Sequence, residues 1–483
     1  MKSLHQYSIN PNLIAAEYAV RGKLVLEANK IEKEINESKL QHKPNPYPFD
    51  KVIYCNIGNP QLFNQKPLTY VRQVLSLVEY PELMRISNLY PDDIKQHAEY
   101  IMKSLKCIGT TGAYTNSQGV LEFRNSISHF IKRRDGYECS SDSIYITDGA
   151  SSAIKMILHL FISHNLHGIM IPIPQYPLYS AVITQFGGTQ VPYYLNEEDN
   201  WSIDINSLFS TWSKATSKGI IIKAFVVINP GNPTGQVLSI ENMKTIIEFC
   251  YEKKICLLVD EVYQDNIWGS IPFTSFRKVL LSMDEPIKSS VELFSFFSVS
   301  KGFYGECGKR GGYLQIENID DFVHKQLIKM TSINLCSNVV GQEVVELICN
   351  PPQEGDCSYP IYYREKTEIL SSLKRKASIL HSVLNSCNGI ECNEAMGSLY
   401  LFPKIILPKQ FIEECEKYHL VPDEEYCLQL LRSTGICTIP GSGFGQKDET
   451  YHYRIAILPS EEEILCVAEK LKSFHVSFLK KFE

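Results

Sequence analysis

The chain has 483 residues, which is enough for two or three domains with large buried cores. Its net charge of −6, with 44% hydrophobic and 21% charged residues, gives no electrostatic footprint for nucleic acid or an anionic membrane, and no apolar stretch is long enough for a membrane span. Fifteen scattered cysteines without a CxxC pair argue against a disulfide framework or a structural zinc site, so the sequence predicts a reducing compartment and no metal.

The first fifty residues, 1–50, are predicted to form an N-terminal arm. Asn10 suits a helix N-cap, and Pro11 suits the first helical position after it. Three prolines stiffen the connector 42–50 that follows the helix. The N-terminus has neither an apolar signal core nor an Arg-rich transit pattern, which predicts a cytoplasmic protein. The apolar face of this predicted long helix carries Leu13, Ala16, Val20, Leu24 and Ala28.

Short apolar segments alternate with helical ones in the middle of the chain, and we assign residues 91–349 to a large domain. This rhythm predicts an α/β fold with a mostly parallel sheet that helices cover on both faces. The predicted strands are Ser143–Thr147, Gly168–Ile173, Thr189–Tyr194, Ala224–Asn229, Ile255–Val259, Glu292–Phe297 and Gly311–Ile316.

The pattern changes after Asn350-Pro351-Pro352, where a long charged helix over 361–386 precedes short strands and further helices. We assign residues 350–483 to a smaller α+β domain. Residues 51–90 are predicted to complete that domain, because they begin with a short strand over 51–56 before a sharp turn at Gly58.

Two candidate binding segments follow the first strands of the large domain. Gly149-Ala150-Ser151-Ser152 lies between a strand and a helix start, where backbone N–H groups, the helix dipole and two hydroxyls favour an anion. A plain capping turn is the alternative. Tyr176 ends the next strand, where its ring can either stack on a flat ligand or simply pack in a turn.

Two further motifs place polar side chains at the ends of buried strands. In NPGNPTG, Asn229–Gly235, two prolines and two glycines fix the backbone and leave Asn232 projecting. Asp260 ends the apolar run ICLLVD, where a charge is costly unless it meets a cation such as a protonated pyridine nitrogen. Tyr263 would then reach the phenolic oxygen of the same ring. For NPGNPTG the alternative is a rigid turn without a ligand. For Asp260 it is a buried aspartate that caps the next turn.

The stretch Ser295–Tyr313, SFFSVSKGFYGECGKRGGY, is the segment around which the other motifs are organised. Lys301 comes just after a buried strand, where loss of water favours the neutral, nucleophilic amine. Ser298, Arg310 and the glycines between them suit a phosphate. An amine nucleophile beside a phosphate cradle is the arrangement that pyridoxal 5'-phosphate (PLP) requires, whereas a solvated Lys/Arg loop is the alternative.

Arg454 lies on a predicted strand of the small domain, in the sequence YRIAI. Its planar fork matches a carboxylate, although a surface arginine is the ordinary alternative. The large-domain candidates follow strands that share one carboxyl edge, which is where open α/β sheets bind ligands. Together they offer phosphate donors, a ring stacker, partners for ring oxygen and nitrogen, and a lysine, which is a complete set of contacts to PLP.

With these motifs the chain resembles the PLP-dependent aminotransferases of the aspartate aminotransferase superfamily, over nearly its whole length from about Asn12. The GECG-R-GGY loop and Asn350-Pro351-Pro352 resemble the alanine-specific members of that family. The motifs that carry the resemblance are NPGNPTGQVL (229–238), DEVYQDN (260–266), SVSKGFYGECGKRGGY (298–313), PGSGFGQ (440–446) and YHYRIAILP (451–459).

The resemblance implies a role for each candidate residue and the PLP-dependent transferase fold. Lys301 would be the Schiff-base lysine and proton shuttle, Asp260 the partner of the pyridine nitrogen, and Tyr263, with Asn232, the partner of the ring oxygen. Arg454 would bind the substrate α-carboxylate. The remaining implied contacts are Tyr176 on the ring, Ala150, Ser151, Ser152, Ser298 and Arg310 at the phosphate, Asn232 and Gly58 in the substrate site, and Tyr114 at the phosphate of a neighbouring subunit in a homodimer.

The implied activity is a ping-pong transamination from L-alanine and 2-oxoglutarate to pyruvate and L-glutamate. Glutamate–glyoxylate transamination is the nearest alternative, because glyoxylate and pyruvate differ by one methyl group. A lyase similar to aminocyclopropane-carboxylate synthase and a non-catalytic PLP-binding regulator are more distant alternatives.

The chain departs from the family pattern at Phe297, where histidine is common, at Lys309, where an aromatic is common, and at Ser152-Ala153.

Overall fold

The computed structural model describes residues 3–5, 7–18, 22–85, 89–106 and 111–482. The helices are α1 Pro11–Ala15, α2 Lys23–Leu40, α3 Thr69–Glu79, α4 Asp92–Ser104, α5 Leu121–Asp135, α6 Ala150–Phe161, α7 Leu178–Gln185, α8 Ile205–Thr216, α9 Ile240–Lys253, α10 Phe276–Ser282, α11 Ile287–Ser290, α12 Asp321–Ile333, α13 Val339–Cys349, α14 Tyr359–Asn385, α15 Lys409–Lys417, α16 Pro422–Thr434 and α17 Glu461–Lys481. The strands are β1 Ile53–Tyr54, β2 Ile144–Thr147, β3 His167–Ile173, β4 Thr189–Tyr194, β5 Ile221–Ile228, β6 Cys256–Asp260, β7 Leu293–Ser298, β8 Gly312–Glu317, β9 Ile390–Glu391, β10 Tyr400–Leu401, β11 Lys404–Ile405, β12 Ile436–Cys437, β13 Ile439–Pro440 and β14 Tyr453–Ala456.

A seven-stranded sheet in the order β2-β8-β7-β6-β5-β3-β4 forms the centre of the molecule. The pairs β3–β4, β3–β5, β5–β6 and β6–β7 are parallel, and β8 runs antiparallel to both of its neighbours. The predicted α/β fold with a mostly parallel sheet is therefore confirmed. Because the parallel strands run the same way, the segments that follow them leave from one edge of the sheet.

Helices bury both faces of this sheet, as its alternating apolar side chains require. On one face, Ala224 and Val226 of β5 belong to the same buried cluster as Ile154 and Ile157 of α6. On the other face, Phe225 and Val227 share a cluster with residues of α9. The central strands are thus held rigidly, so the positions of their carboxyl ends are fixed.

Short strands near the C-terminus build a second set of sheets. β14 lies between β10 and β13, and β1 pairs in parallel with β12 through Ile53 and Ile436. Among the short strands expected here, the apolar run 436–439, which the sequence predicts as one strand, forms two, because β12 pairs with β1 while β13 pairs with β14. Residues 53–54 thus pair with this region, whereas Leu68 and Val78 share a buried cluster with Ile144 of the central sheet. The boundaries 51–90 and 350–483 of the small domain stay a prediction.

The N-terminal arm differs from its prediction. Instead of one long helix, the structure has α1 and α2, and Ala16 between them has extended backbone angles (φ −75°, ψ 115°). Val20 of the predicted apolar face lies outside the described residues. Leu24, Ala28, Ile31 and Ile35 of α2 are buried. The separate α1 packs against α7, which brings the arm to the central sheet.

The described helices include none with the length and apolar character needed to cross a lipid bilayer. Within the same residues, no group of three or more histidine, cysteine, aspartate or glutamate side chains is placed to hold a metal ion.

Glu343 on α13 is a buried carboxyl group without a hydrogen-bond partner. Its side chain is 0% exposed, and both of its oxygens lack a partner. Burial raises the pKa of Glu343 to about 8, with a further increase from Glu79 and a decrease from Lys309. An ionised carboxylate in this place opposes folding, because it has given up water without gaining a hydrogen bond or ion pair.

We therefore expect Glu343→Gln to stabilise the fold more at pH 8 than at pH 5. The folded pKa lies above the unfolded value, so the ionisation cost is absent below about pH 4.5 and complete above about pH 8. Between these limits the gain grows by ~1.4 kcal/mol per pH unit. Chemical denaturation at both pH values measures it, with Glu248→Gln at an exposed position of α9 as the matched control. An equal gain at pH 5 and pH 8 would contradict this expectation.

Candidate active site

A cavity of about 760 Å³ lies at the carboxyl edge of the central sheet. Its walls come from the segments that follow β1, β2, β3, β5, β6 and β7, and from β10 and β14. The sequence-predicted residues that line it are Gly58, Ala150, Ser151, Tyr176, Asn232, Asp260, Tyr263, Ser298, Lys301, Arg310 and Arg454. The structure thus brings together side chains that are spread over almost four hundred positions of the sequence.

One end of the cavity is suited to an anion. Arg310 donates from one terminal nitrogen to the Ser151 hydroxyl at 3.2 Å and from the other to the Ser300 hydroxyl at 3.4 Å. Ala150 and Ser151 begin α6, so free backbone N–H groups point toward the same place. Gly149 has φ +76°, and a Cβ there would lie 2.5 Å from the Arg310 guanidinium. This position therefore requires glycine if the arginine is to reach the helix terminus.

The Lys301 amine lines the same cavity. Its Nζ donates to the Gly58 carbonyl oxygen at 2.7 Å and lies 6.0 Å from the centre of the Tyr263 ring. A Cβ on Gly58 would lie 2.9 Å from this Nζ and would collide with the Tyr400 hydroxyl. The absence of a side chain at Gly58 thus leaves space for the lysine and for the phenol beside it.

Asp260 is a buried carboxyl group at the end of β6. The Tyr179 hydroxyl donates to Oδ2 at 3.1 Å, and the Val262 N–H donates to Oδ1 at 3.4 Å. Burial raises the pKa of Asp260 to about 6, although the hydrogen bonds from Tyr179 and Val262 and the charge of Lys301 oppose the increase. No arginine, lysine or histidine of the described residues forms an ion pair with it. A cationic ligand group would stabilise the ionised carboxylate.

Arg454 on β14 is a fully buried cation whose guanidinium ties three segments together. It donates to the Asn232 Oδ1 at 2.9 Å and to the Asn56 carbonyl oxygen at 2.5 Å. Its guanidinium carbon lies 3.9 Å from the centre of the Tyr400 ring. Its Nε is buried without a partner, and no carboxylate of the described residues pairs with it. A ligand carboxylate would satisfy both the charge and the spare donor.

Asn232 connects the arginine to a phenol. Its Nδ2 donates to the Tyr263 hydroxyl at 3.3 Å, while its Oδ1 accepts from Arg454. Burial raises the pKa of Tyr263 well above its ordinary value, and neighbouring Tyr400 raises it further. The Tyr263 oxygen therefore keeps its proton and can donate to a ligand oxygen.

Sequence reasoning missed several residues of the cavity, of which Tyr400 is the most central. Burial alone raises the pKa of Tyr400, but the positive charges of Lys301 and Arg454 outweigh burial and bring the pKa below its ordinary value. Tyr400 stands on the two-residue strand β10, which gives almost no periodic signal. The lining residues Tyr18, Ser300 and Cys307 were also missed, although Ser300 lies in the SVSK motif itself. Tyr179, which donates to Asp260 from outside the lining, was missed as well.

Two predicted residues lie outside the cavity lining. The Ser152 hydroxyl is exposed and donates to the Asp148 carbonyl oxygen at 3.2 Å. Tyr114 is 78% exposed on the surface of the chain. Of the departures from the family pattern, Phe297 is a buried residue of β7 that does not line the cavity. Its ring stacks on that of Tyr313, with the ring centres 4.7 Å apart.

These features fit PLP. The Arg310–Ser151 end suits its phosphate, the unpaired Asp260 carboxylate suits its pyridinium nitrogen, and Lys301 lines the same cavity. The Tyr263 hydroxyl, whose raised pKa keeps it protonated, suits the ring oxygen as a donor. Arg454, which none of these groups uses, remains available for a second ligand that carries a carboxylate.

Comparison with known proteins agrees with this geometry. The family model described as aminotransferase class I and II matches residues 86–471. A Dictyostelium discoideum protein named "Probable alanine aminotransferase, mitochondrial" is 47% identical, with coverage of 100% of this chain and 90% of that protein. An Arabidopsis thaliana protein named glutamate–glyoxylate aminotransferase 2 is 43% identical, with coverage of 100% and 98%. The solved structure of an alanine aminotransferase from Pyrococcus furiosus shares the fold, with a TM-score of 0.75, 23% identity and coverage of 97% and 100%.

The position of Lys301 leads to a labelling prediction. When the protein is incubated with PLP and reduced with borohydride, which fixes the link between an amine and an aldehyde, we expect about one label per chain, on Lys301. Peptide mapping by mass spectrometry locates the label. Lys301→Ala should lose it, whereas Lys309→Ala, on the same loop, should retain it. A label on another lysine of the wild-type chain would refute the assignment.

Proposed function

The chain belongs to the class I and II aminotransferases, and from this membership we propose that it is an alanine aminotransferase. It would transfer the amino group of L-alanine to 2-oxoglutarate, giving pyruvate and L-glutamate. The observation that carries this proposal is the buried Arg454 guanidinium, which lines the same cavity as the Lys301 amine. Among the described residues it has no carboxylate partner, and its Nε is a spare donor. One such fork can take the α-carboxylate of each substrate in turn, as a ping-pong exchange requires.

The cofactor of these enzymes, PLP, supplies the electron sink for bond cleavage at the substrate Cα. We propose that Asp260 maintains the positive charge on the pyridine nitrogen, for which its buried position and lack of a protein cation leave it available. Ala150, Ser151, Ser298 and Arg310 would hold the phosphate, with Ser152 outside the cavity lining. Tyr176 would stack on the ring, and Asn232 and Tyr263 would bind its oxygen.

Lys301 is the proposed proton carrier. In the first half of the reaction its Nζ would take a proton from Cα of the amino donor. In the second half it would deliver a proton to Cα of the acceptor. The Gly58 carbonyl oxygen accepts a hydrogen bond from this Nζ and thereby fixes the position of the amine. Arg454 would orient the substrate by its α-carboxylate, and the hydrogen bond from Arg454 to Asn232 would keep that anchor in register with the ring site.

We propose a homodimer as the working unit. Tyr114 is 78% exposed in the single chain and lies outside the cavity, so its proposed role requires the phosphate of a neighbouring subunit.

We also propose a cytoplasmic location, which the free thiols of all fourteen described cysteines support. The Dictyostelium relative is named as a mitochondrial protein.

Glutamate–glyoxylate transamination is the second candidate function, because the Arabidopsis relative named for it is 43% identical to this chain. The two activities would use the same anchors and differ only in the space beside the substrate Cα. A pocket distinguishes one methyl group by only ~1–3 kcal/mol, so direct competition between the acceptors is needed to separate them.

A substrate panel tests the function. We expect alanine and glutamate to be the best amino donors, with aspartate at least about tenfold slower, and pyruvate to be accepted better than glyoxylate. Initial rates with purified holoenzyme measure this, and incubation with S-adenosylmethionine serves as the control for lyase activity. Aspartate as fast as alanine would refute the proposal, and a strong preference for glyoxylate over pyruvate would favour the second candidate.

The dimer proposal predicts complementation between two inactive chains. In a mixed dimer of Lys301→Ala and Tyr114→Ala, one site would carry both defects and the other would be intact. A one-to-one mixture, unfolded and refolded together, should then show about a quarter of the wild-type number of working sites. If Tyr114 serves its own subunit, every site carries a defect. Activity no greater than the sum of the two parents would contradict the shared site, provided that Tyr114→Ala alone is impaired.

A further inference from the structure

The proposed function leaves one ligand group without a partner. Glutamate and 2-oxoglutarate carry a second, distal carboxylate that alanine and pyruvate lack. Among the described residues, the cavity is lined by three cationic side chains, Lys301, Arg310 and Arg454. Each of them already has a proposed task at the substrate amine, the phosphate or the α-carboxylate. The distal carboxylate must therefore be recognised by neutral hydrogen-bond donors or by a group from outside these residues.

A neutral site suits an enzyme that accepts both kinds of substrate. A cation fixed at this position would face the methyl group of alanine without a counter-charge, at a considerable desolvation cost. A pair of hydroxyl groups avoids this cost, because the two can bond to each other when the small substrate is present. The same pair can turn toward a carboxylate when the larger substrate arrives.

The cavity contains such a pair, formed by Tyr18 of the arm and Tyr176 after β3. Their hydroxyl oxygens are 2.8 Å apart, and their ring centres are 6.4 Å apart at an angle of 74°. Both residues line the cavity. Tyr18 is 39% exposed, so its hydroxyl can turn without disturbing a packed core. It follows α1, whose contact with α7 brings this part of the arm to the cavity mouth.

The electrostatics of Tyr176 make it a suitable donor. Burial raises its pKa well above the ordinary value, and the neighbouring Tyr18 raises it further, so the hydroxyl keeps its proton. The charge of Arg454 acts in the opposite direction, which places the phenol within electrostatic range of the proposed α-carboxylate anchor. Because Arg454 and both tyrosines line one cavity, a substrate held at Arg454 can extend its side chain toward the tyrosine pair.

We propose that the Tyr18–Tyr176 hydroxyl pair binds the distal carboxylate of glutamate and 2-oxoglutarate. This inference rests on the proposed function and adds to it the residues that let one cavity serve a methyl group and a carboxylate in turn. Tyr18 determines specificity here, since its hydroxyl is a donor that the small substrates do not need.

Binding of two non-reacting acids to the holoenzyme tests the proposal. Glutarate carries both carboxylates, and propionate carries one. Tyr18→Phe keeps the ring and removes the hydroxyl, so we expect glutarate to bind about tenfold more weakly, while propionate changes by no more than about twofold. Isothermal titration calorimetry measures both dissociation constants. Tyr7→Phe is the matched control, because it removes a phenolic hydroxyl that is 86% exposed on the same arm.

The kinetics should show the same selectivity, with the KM for glutamate and 2-oxoglutarate raised relative to that for alanine and pyruvate. Equal weakening of glutarate and propionate by Tyr18→Phe, or no weakening of either, would overturn the inference. Thermal unfolding of the variant shows whether its fold is intact, and Tyr176→Phe provides a second test of the same ratio. Failure of the wild-type enzyme to transaminate alanine would refute the proposed function instead, so the two failures are distinguishable.

Discussion

The architecture of the site depends on the burial of one cation, Arg454. Its guanidinium is held by Asn56 after β1 and by Asn232 after β5, and it rests on the Tyr400 ring of β10. These three segments are far apart in the sequence, and the arginine itself comes from a fourth. An isolated buried charge is costly, so each of these contacts is needed to make the position tolerable. The same contacts determine the shape of the cavity.

Asp260 and Arg454 together explain why the cavity is prepared for ligands. Each is buried, each has hydrogen bonds to neutral groups, and neither has a partner of opposite charge among the described residues. Ligands that carry the complementary charges would bind the folded chain and not the unfolded one, and would therefore stabilise the fold. Holding these two charges in place before a ligand binds thus lowers the stability of the unliganded chain.

Much of this arrangement was accessible from the sequence, and the exceptions have physical reasons. The buried strands of the central sheet are continuous apolar runs, and the side chains at their ends stand out by contrast, as Asp260 does after ICLLV. Tyr400 was missed because a two-residue strand has no period to detect. Tyr18 was missed because it lies in an extended segment where a continuous helix was predicted, and its contact with Tyr176 depends on how α1 packs on α7.

The pairing of Ile53 with Ile436 has a consequence for biosynthesis. As the chain leaves the ribosome, β1 has to wait for its partner until nearly the whole polypeptide has been made. The central sheet, whose strands lie between residues 144 and 317, can form well before that moment. Gly58, which follows β1, and Arg454, which follows β12, therefore reach the cavity after its floor exists. The cavity is therefore completed only in the final stage of synthesis.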